Sequence, residues 1–263
     1  MVDITEKVNY KEYSREGVKE ATGEVVVEMP LTIYVDKEEL VTLLCTPERM
    51  DYLALGFLWS EGVINTPDEV KKIVVDEEKG AVWVDAAIDR EFIKEMMFKR
   101  LITSGCGKGT TFYSVVDKVS AQPVVSDIKV TPEQVLDLMS KFQETSHLYK
   151  ETHGVHSAAL CTPDEILIFR EDIGRHNAID KILGECFMSG TALKDKVMLT
   201  SGRISSEVLL KTAKKGIPVL VSRTSPTALA VRLAGKLGVT LIGFVRGGKM
   251  RVYNHNERVN SEQ

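Results

Sequence analysis

The chain has 263 residues, of which 43% are hydrophobic and 27% are charged. This composition is typical of a soluble globular protein with one large domain or two smaller ones, and the net charge of −4 gives no basic field that would attract nucleic acid. The first residues do not have the pattern of a secretory signal and no run of about 18 apolar residues occurs, so we expect a cytoplasmic protein without a signal peptide or a membrane association.

The N-terminal part is expected to contain a polar arm followed by a small domain. Residues 1–22 are polar and predict a loosely held arm. Residues 23–125 predict a smaller α+β domain, in which alternating apolar residues indicate strands and Leu40–Leu44 pairs back on them. Thr46 is expected to cap the next helix, and Gly62 should end it. The domain ends in a glycine-rich loop that carries a cysteine.

Residues 126–263 predict a three-layer α/β/α domain. Thr131 and Gln134 have the spacing of a capping box, which opens a helix. Farther along, three apolar strands alternate with two helices. Neighbouring strands in such a β-α-β-α-β order are parallel, because the crossovers between them are right-handed. The predicted strands are Val197–Thr200, Ile217–Val221 and Thr240–Val245.

Three loops follow the carboxyl ends of these strands, at the edge where open α/β sheets bind ligands. Each loop combines a cation with hydroxyl or glycine residues that can surround phosphate oxygens, and none matches the phosphate loop of nucleoside triphosphatases. The alternative is that turns and helix caps need the same small residues. Because three such loops converge, we favour a site for a phosphate-bearing ligand. Its candidate residues are Ser201, Arg203, Ser222, Arg223, Thr227, Arg246, Gly247, Gly248 and Lys249.

A polar segment, EDIGRHNAID, joins a predicted strand to an amphipathic helix just before these loops. Asp172, Arg175, His176 and Asn177 could all face the same edge. In the alternative interpretation, Asp172 caps the helix, Arg175 pairs with Asp172 or Glu171 at the surface, and a lone histidine is structural. The cluster as a whole favours function, and we add His176 to the candidate ligand residues.

Two histidines, His153 and His156, raise the question of a metal site. Zinc deaminases carry a His-x-Glu motif and a Pro-Cys-x-x-Cys motif, and neither is present here. The two histidines therefore lack further ligands. We expect no metal site, and we interpret these residues as candidates for a histidine beside the substrate.

Cys106 is distinguished from the other three cysteines by its neighbours. Cys45, Cys161 and Cys186 lie in apolar strands or on an apolar helix face and are expected to be small buried residues. Cys106 lies in the sequence Ser-Gly-Cys-Gly-Lys-Gly, where Lys108 can stabilise a thiolate. A mobile cysteine of lowered pKa is a nucleophile or a sulfur carrier. The alternative is an incidental surface thiol.

Taken together, these motifs resemble those of the formate dehydrogenase accessory sulfurtransferases, the FdhD family. The resemblance extends from about Gly23 to Arg258. The segments that carry it are TPERMDYLALGFLWSEGVI, THGVHSAAL, EDIGRHNAIDKILG, TSGRISSEVLLK, SRTSPTALA and GFVRGGKMRVYNHNER.

The resemblance implies a function in cofactor maturation. Family members accept sulfur from a cysteine desulfurase as a persulfide. They pass it to the molybdenum (or tungsten) bis-guanine-dinucleotide cofactor, which is then inserted into formate dehydrogenase. Members are similar in fold to cytidine deaminases, without their zinc, and are homodimers. The sulfur-bearing cysteine corresponds to Cys106, and the cofactor-binding stretch corresponds to Phe244–Lys249, which adds Phe244 and Val245 to the candidates.

This sequence departs from the family pattern in one respect. Many members carry Cys-Gly-x-Cys-Gly in this loop, whereas here Cys106 is the single cysteine and could align with either member of the pair. A persulfide carrier needs one thiol, but a step that uses a second cysteine to form an internal disulfide is not available. The single cysteine leaves a second hypothesis open, in which the protein delivers the cofactor as a chaperone without sulfur transfer.

Overall fold

The structure is a computed structural model that describes residues 2–86 and 123–260. The described strands are β1 (Thr5–Ser14), β2 (Gly17–Val26), β3 (Met29–Val35), β4 (Glu38–Cys45), β5 (Val70–Asp76), β6 (Ala81–Ala86), β7 (His156–Cys161), β8 (Ile166–Asp172), β9 (Val197–Thr200), β10 (Val219–Ser222), β11 (Thr240–Arg246) and β12 (Lys249–Val252). The described helices are α1 (Met50–Glu61), α2 (Pro132–Thr145), α3 (His147–Thr152), α4 (Arg175–Ser189), α5 (Ser206–Lys214) and α6 (Ala228–Leu237).

The N-terminal segment is a β-hairpin rather than a loose arm. β1 and β2 pair antiparallel along their whole length, from Thr5 opposite Val26 to Ser14 opposite Gly17. The expected boundary between residues 22 and 23 therefore falls inside β2. The sequence did not reveal the hairpin because most of its residues are exposed on both faces, so no alternation of apolar and polar residues marks it.

A four-stranded sheet and α1 form the first core. The strand order is β4-β3-β6-β5, in which only the β3–β6 pair is parallel. Alternate residues of β3 are buried, because one face of the sheet packs against the apolar residues of α1. As predicted, Leu40–Leu44 pairs back on the preceding strand and Gly62 ends the helix, in a left-handed conformation with φ of 80°.

The predicted cap of α1 is wrong. The helix begins at Met50, and its N-cap position is occupied by Arg49 in a left-handed conformation. Thr46 is fully buried instead, where its hydroxyl accepts a hydrogen bond from the backbone N–H of Ile173 at 3.2 Å. The Thr46 hydroxyl therefore binds a segment distant in sequence and does not cap α1.

The second sheet has six strands in the order β12-β11-β10-β9-β7-β8. The predicted arrangement of its three central strands is confirmed. β10 pairs in parallel with both β9 and β11, so that Leu220 lies beside Met198 and Leu241. At one side of the sheet, β7 of the hairpin β7–β8 pairs antiparallel with β9. At the opposite edge, β12 pairs antiparallel with β11.

Helices cover both faces of this sheet. Met198, Leu220 and Leu241 belong to a core that includes residues of α4, α5 and α6. Leu199 and Val221, which alternate with them along the strands, pack against α2 on the other face. The described part of the chain therefore contains the three layers expected from the sequence. The closer likeness to cytidine deaminases stays a prediction.

The two sheets are joined by a close crossing of α1 and α4. A Cβ atom built on Gly56 of α1 would lie 1.7 Å from the carbonyl oxygen of Asp180, and one on Gly184 of α4 would lie 1.9 Å from that of Tyr52. Only glycine permits the two backbones to approach so closely. The boundary expected near residue 125 borders residues outside the described ranges, so it stays a prediction.

A buried ion pair lies next to this crossing. The ammonium group of Lys181 and the carboxylate of Asp172 are both fully buried and lie 2.8 Å apart. Asp172 also accepts hydrogen bonds from the backbone N–H of Thr46 and from the side chain of Asn177, while Lys181 donates to the carbonyl oxygens of Thr46 and Glu171. These contacts hold the segment that precedes α1 against α4.

Candidate functional site

The three predicted loops contact one another at the carboxyl edge of the second sheet. The hydroxyl of Ser222, after β10, donates to the carbonyl oxygen of Gly202, after β9, at 2.7 Å. The backbone N–H of Thr227 donates to the carbonyl oxygen of Ile204 at 2.9 Å, and that of Phe244 donates to Thr224 at 2.9 Å. Backbone hydrogen bonds therefore hold the loops after β9, β10 and β11 in a fixed arrangement.

Cations of these loops project into solvent. Arg203, Arg223, Arg246 and Lys249 are all exposed, and none forms an ion pair with another described residue. Their charges are consequently uncompensated within this edge, which gives it a local positive potential despite the negative net charge of the chain. Such an edge attracts phosphate groups.

The hydroxyl groups predicted to bind a ligand already have partners. Ser222 also accepts from the backbone N–H of Thr224 at 2.9 Å, and Ser201 accepts from that of Ser157 at 2.9 Å. Thr227 caps α6 by accepting from Ala230. These side chains shape the loops, as the alternative interpretation proposed. Direct contacts of Ser201, Ser222 and Thr227 with a ligand stay a prediction.

The Arg246–Lys249 segment forms the turn of the hairpin β11–β12. Gly247 and Gly248 have φ angles of 58° and 68°, and two consecutive left-handed residues are typical of a tight two-residue hairpin turn. The turn alone therefore explains both glycines. Phe244 also adopts a left-handed conformation, with φ of 56°, which is unusual for a residue with a side chain.

Phe244 is flanked by two guanidinium groups. The guanidinium carbon of Arg251 lies 4.2 Å from the centre of its ring, and that of Arg246 lies 5.6 Å away. Cations at these distances interact favourably with the face of an aromatic ring. Val245, by contrast, is fully buried in the core beneath the sheet, so its side chain is unavailable to a ligand.

Part of the polar segment after β8 reaches the same edge and part does not. Arg175 packs against Gly202, because a Cβ atom built there would lie 3.1 Å from both the Cβ and the Cδ of Arg175. Asp172 and Asn177 are buried between the two sheets, and the expectation that they face the edge is wrong. Lys181, whose contact was not predicted from the sequence, is the partner of Asp172 in place of Arg175.

Two histidines lie near Arg175. His156 Nδ1 is 3.3 Å from the hydroxyl oxygen of Ser201, and burial together with Arg175 lowers the pKa of His156. Burial and then the neighbouring charges of Arg175 and Lys211 lower the pKa of His176 to about 4. Both imidazoles are therefore neutral near pH 7. His153 lies apart from them, at the end of α3 with its ring against Tyr149.

A second buried polar network was not predicted from the sequence. The Lys211 ammonium group lies 2.7 and 2.8 Å from the carboxylate oxygens of Asp180 and 2.9 Å from the hydroxyl of Ser60. Burial raises the pKa of Asp180, and Lys211 opposes that effect. The only signal of this network in the sequence is Asp180, a charged residue of α4 on the side that packs against the apolar α1.

The three cysteines in the described ranges are buried, as predicted. Cys45 and Cys161 have no exposed surface and Cys186 has 1%. Burial raises the pKa of each thiol to about 12, so these thiols are protonated and unreactive at neutral pH. Cys106 lies outside the described residues.

No group of three or more His, Cys, Asp or Glu side chains is arranged to hold a metal ion in the described part of the chain. None of its helices has the length and apolar character needed to cross a membrane.

Comparison with known proteins gives consistent results. Residues 26–260 match the model of the FdhD/NarQ family. The chain is 45% identical over 247 residues to the sulfur carrier protein FdhD of Bacillus subtilis, with 94% of each chain covered. It is 44% identical to the protein of the same name from Staphylococcus aureus, with 92% of each covered.

A solved structure is also similar. It is the crystal structure of a protein from Desulfotalea psychrophila assigned as a formate dehydrogenase accessory protein. The TM-score is 0.79 at 25% sequence identity, and the match covers 98% of this chain and all of the other.

Proposed function

Because this chain belongs to the FdhD/NarQ family, we propose that it is a sulfur carrier for the maturation of formate dehydrogenase. In this proposal, Cys106 receives sulfur as a persulfide from a cysteine desulfurase. The sulfur then passes to a molybdenum bis-guanine-dinucleotide cofactor bound at the carboxyl edge of the second sheet. Relatives that cover nearly the whole chain are named sulfur carrier proteins, which supports the carrier function.

The observation that carries the proposal is the group of exposed cations on three interlocked loops. A bis-guanine-dinucleotide cofactor bears two pyrophosphate groups, and Arg203, Arg223, Arg246 and Lys249 can compensate their charge. Backbone hydrogen bonds fix the loops beforehand, so little ordering is needed when a ligand binds. The ring of Phe244, between Arg246 and Arg251, adds an aromatic surface beside these cations.

The first chemical step is a thiol–persulfide exchange. The thiolate of Cys106 attacks the outer sulfur of the desulfurase persulfide. A new sulfur–sulfur bond forms on Cys106 while the old one breaks, and the desulfurase cysteine leaves as a thiolate. Lys108, two residues farther along, supplies a positive charge that favours the attacking thiolate.

Mass spectrometry tests this step. Incubation with a cysteine desulfurase and cysteine should add about 32 Da to the wild-type protein, the mass of one sulfur atom, at Cys106. Cys106→Ser should not gain this mass and should fail to activate formate dehydrogenase in cells, while its fold and GDP binding are retained. Cys186→Ser is the matched control and should behave as wild type, because the Cys186 thiol is buried.

The second candidate function is that of a cofactor chaperone, favoured by the single cysteine of the loop. It predicts that Cys106→Ser still supports full activation of formate dehydrogenase. That result would contradict sulfur transfer through Cys106 and leave GDP binding at the sheet edge as the remaining activity. We also propose that the protein acts as a homodimer, which sedimentation of the purified protein tests directly.

A further inference from the structure

Arg175 carries a charge that no described acidic residue neutralises. It is the first residue of α4 and is only partly accessible to solvent. Its Nε atom is buried and has no hydrogen-bond partner, and no carboxylate of the described residues forms an ion pair with its guanidinium group. Asp172, at the end of β8, is paired with Lys181 instead. A partly buried guanidinium without a partner is costly, unless a ligand supplies the missing negative charge.

The position of Arg175 is enforced by its neighbours. Its Cβ and Cδ atoms would each be 3.1 Å from a Cβ atom on Gly202, and His156 Nδ1 would be 3.5 Å from that same point. The absence of a side chain at residue 202 therefore leaves room for both Arg175 and His156 beside the end of β9. A Cβ atom there would require the Arg175 side chain to shift by a few tenths of an ångström.

The hydroxyl of Ser201 contacts the Nδ1 atom of His156. The Ser201 hydroxyl oxygen accepts a hydrogen bond from the backbone N–H of Ser157 at 2.9 Å, so its own hydrogen is available for His156 Nδ1 at 3.3 Å. A neutral His156 that accepts at Nδ1 has its hydrogen on Nε2. In that tautomer, Nε2 is a hydrogen-bond donor.

The acidic side chains of the described residues in this region do not form ion pairs with Arg175. Glu207 of α5 lies 3.4 Å from Nε2 of His176 and forms no ion pair with Arg175. Glu61 lies 3.6 Å from Lys211. The region around Arg175 and His156 consequently has two donors and one full positive charge, with no acidic side chain paired to it among the described residues.

We propose that Arg175 and His156 form an anion subsite that binds one phosphate-sized oxyanion. This subsite lies at the β7 and β9 end of the sheet edge, whereas Arg223, Arg246 and Lys249 belong to the loops of β10 and β11. Two sources share the required chemistry: a phosphate group of the guanine nucleotide, and a free phosphate. The subsite does not depend on sulfur transfer, and it can be tested without a desulfurase.

Titration of the full-length protein with inorganic phosphate, followed by calorimetry, tests the subsite. Arg175→Gln should weaken phosphate binding by about tenfold to a hundredfold, since a charge-assisted hydrogen bond is lost. His156→Gln should weaken it less. Arg232→Gln is the matched control: Arg232 is an exposed arginine of α6, and its substitution should leave phosphate affinity unchanged.

Repeating the titration on protein saturated with GDP distinguishes the two sources. If GDP blocks phosphate, the subsite holds a phosphate of the nucleotide, and if phosphate still binds, the subsite takes a separate oxyanion. Undetectable phosphate binding to the wild type, or an equal loss of affinity in Arg175→Gln and Arg232→Gln, would overturn the proposal. Because GDP affinity is measured in the same samples, failure of the subsite is distinguishable from failure of the proposed function.

Discussion

The exposed arginines of the loops can be tested one at a time. Replacing Arg203 or Arg246 with alanine removes an exposed cation that forms no ion pair with another described residue, so the fold should be unaffected. Each substitution should weaken GDP binding by about 1.5–3 kcal/mol, the contribution of a hydrogen bond to a charged group. Calorimetry measures this directly, with Arg232→Ala as the control. Unchanged GDP affinity in both variants would place the nucleotide elsewhere.

His176 should make the stability of the protein depend on pH. Its pKa is about 4 in the folded protein, against 6.5 as the ordinary value for histidine. Between these two values the unfolded chain binds a proton that the folded protein excludes. The stability that His176 contributes is therefore complete above about pH 6.5 and is lost as the pH falls toward 4, by up to about 3 kcal/mol.

Urea unfolding at a series of pH values measures this effect. His176→Gln keeps a polar side chain of similar size without a titrating group, so its stability should fall less than that of the wild type between pH 6.5 and pH 4. Identical pH profiles for the two proteins would mean that His176 is already protonated in the folded state, contrary to its burial.

The sequence predicted which residues lie at the sheet edge more accurately than it predicted which hydrogen bonds their side chains form. Exposed arginines and the loops that carry them followed from strand order alone. The hydrogen bonds of Ser201 and Ser222 did not, because they join segments distant in sequence. Asp172 was misassigned for a related reason. Its partner Lys181 lies farther along the chain, in α4, and no local sequence pattern indicates that the two residues pair.

Among the elements, the crossing of α1 and α4 makes the sharpest prediction. Gly184→Ala would place a methyl group 1.9 Å from a backbone oxygen, which requires the helices to separate. We expect destabilisation of about 1–3 kcal/mol or more, as for other overpacked positions. Gly235→Ala in α6 is the matched control, because its nearest neighbour is the end of a side chain at 3.0 Å.

Gly235→Ala should leave stability unchanged or raise it, since alanine favours helix more than glycine by up to about 1 kcal/mol. Thermal unfolding of both variants gives the comparison. If Gly184→Ala were as stable as Gly235→Ala, the two helices would have to pack farther apart than described here.

Elements with a clear pattern of apolar residues were predicted well, and the others were not. The capping box of α2 and the parallel strands β9 to β11 follow from local sequence, and the structure contains them. The hairpin β1–β2 is stabilised by its own backbone pairing and by surface ion pairs such as Lys19 with Glu12, which leave no apolar signature. The false cap at Thr46 shows that a favourable local motif can be overridden by a tertiary contact.

For the molecule as a whole, the buried pair of Lys181 and Asp172 should be important for the union of the two sheets. Lys181→Met leaves the Asp172 carboxylate without its counterion in a position with no solvent exposure. We expect a loss of about 3–5 kcal/mol of stability, as for other broken buried pairs. Lys79→Met removes an exposed pair with Asp76 and should have a much smaller effect on stability. Equal effects of the two substitutions in denaturant unfolding would contradict this assignment.

The three buried cysteines have a practical consequence for any study of sulfur chemistry on this chain. Their thiols, with pKa values of about 12, should remain silent toward alkylating reagents for as long as the protein stays folded. A colorimetric thiol count on the native protein should therefore reach at most one equivalent per chain, and unfolding should release three more. In the native protein, every fast reaction with a thiol reagent should therefore report on Cys106, as it would in a variant with a single cysteine, and no mutagenesis is needed.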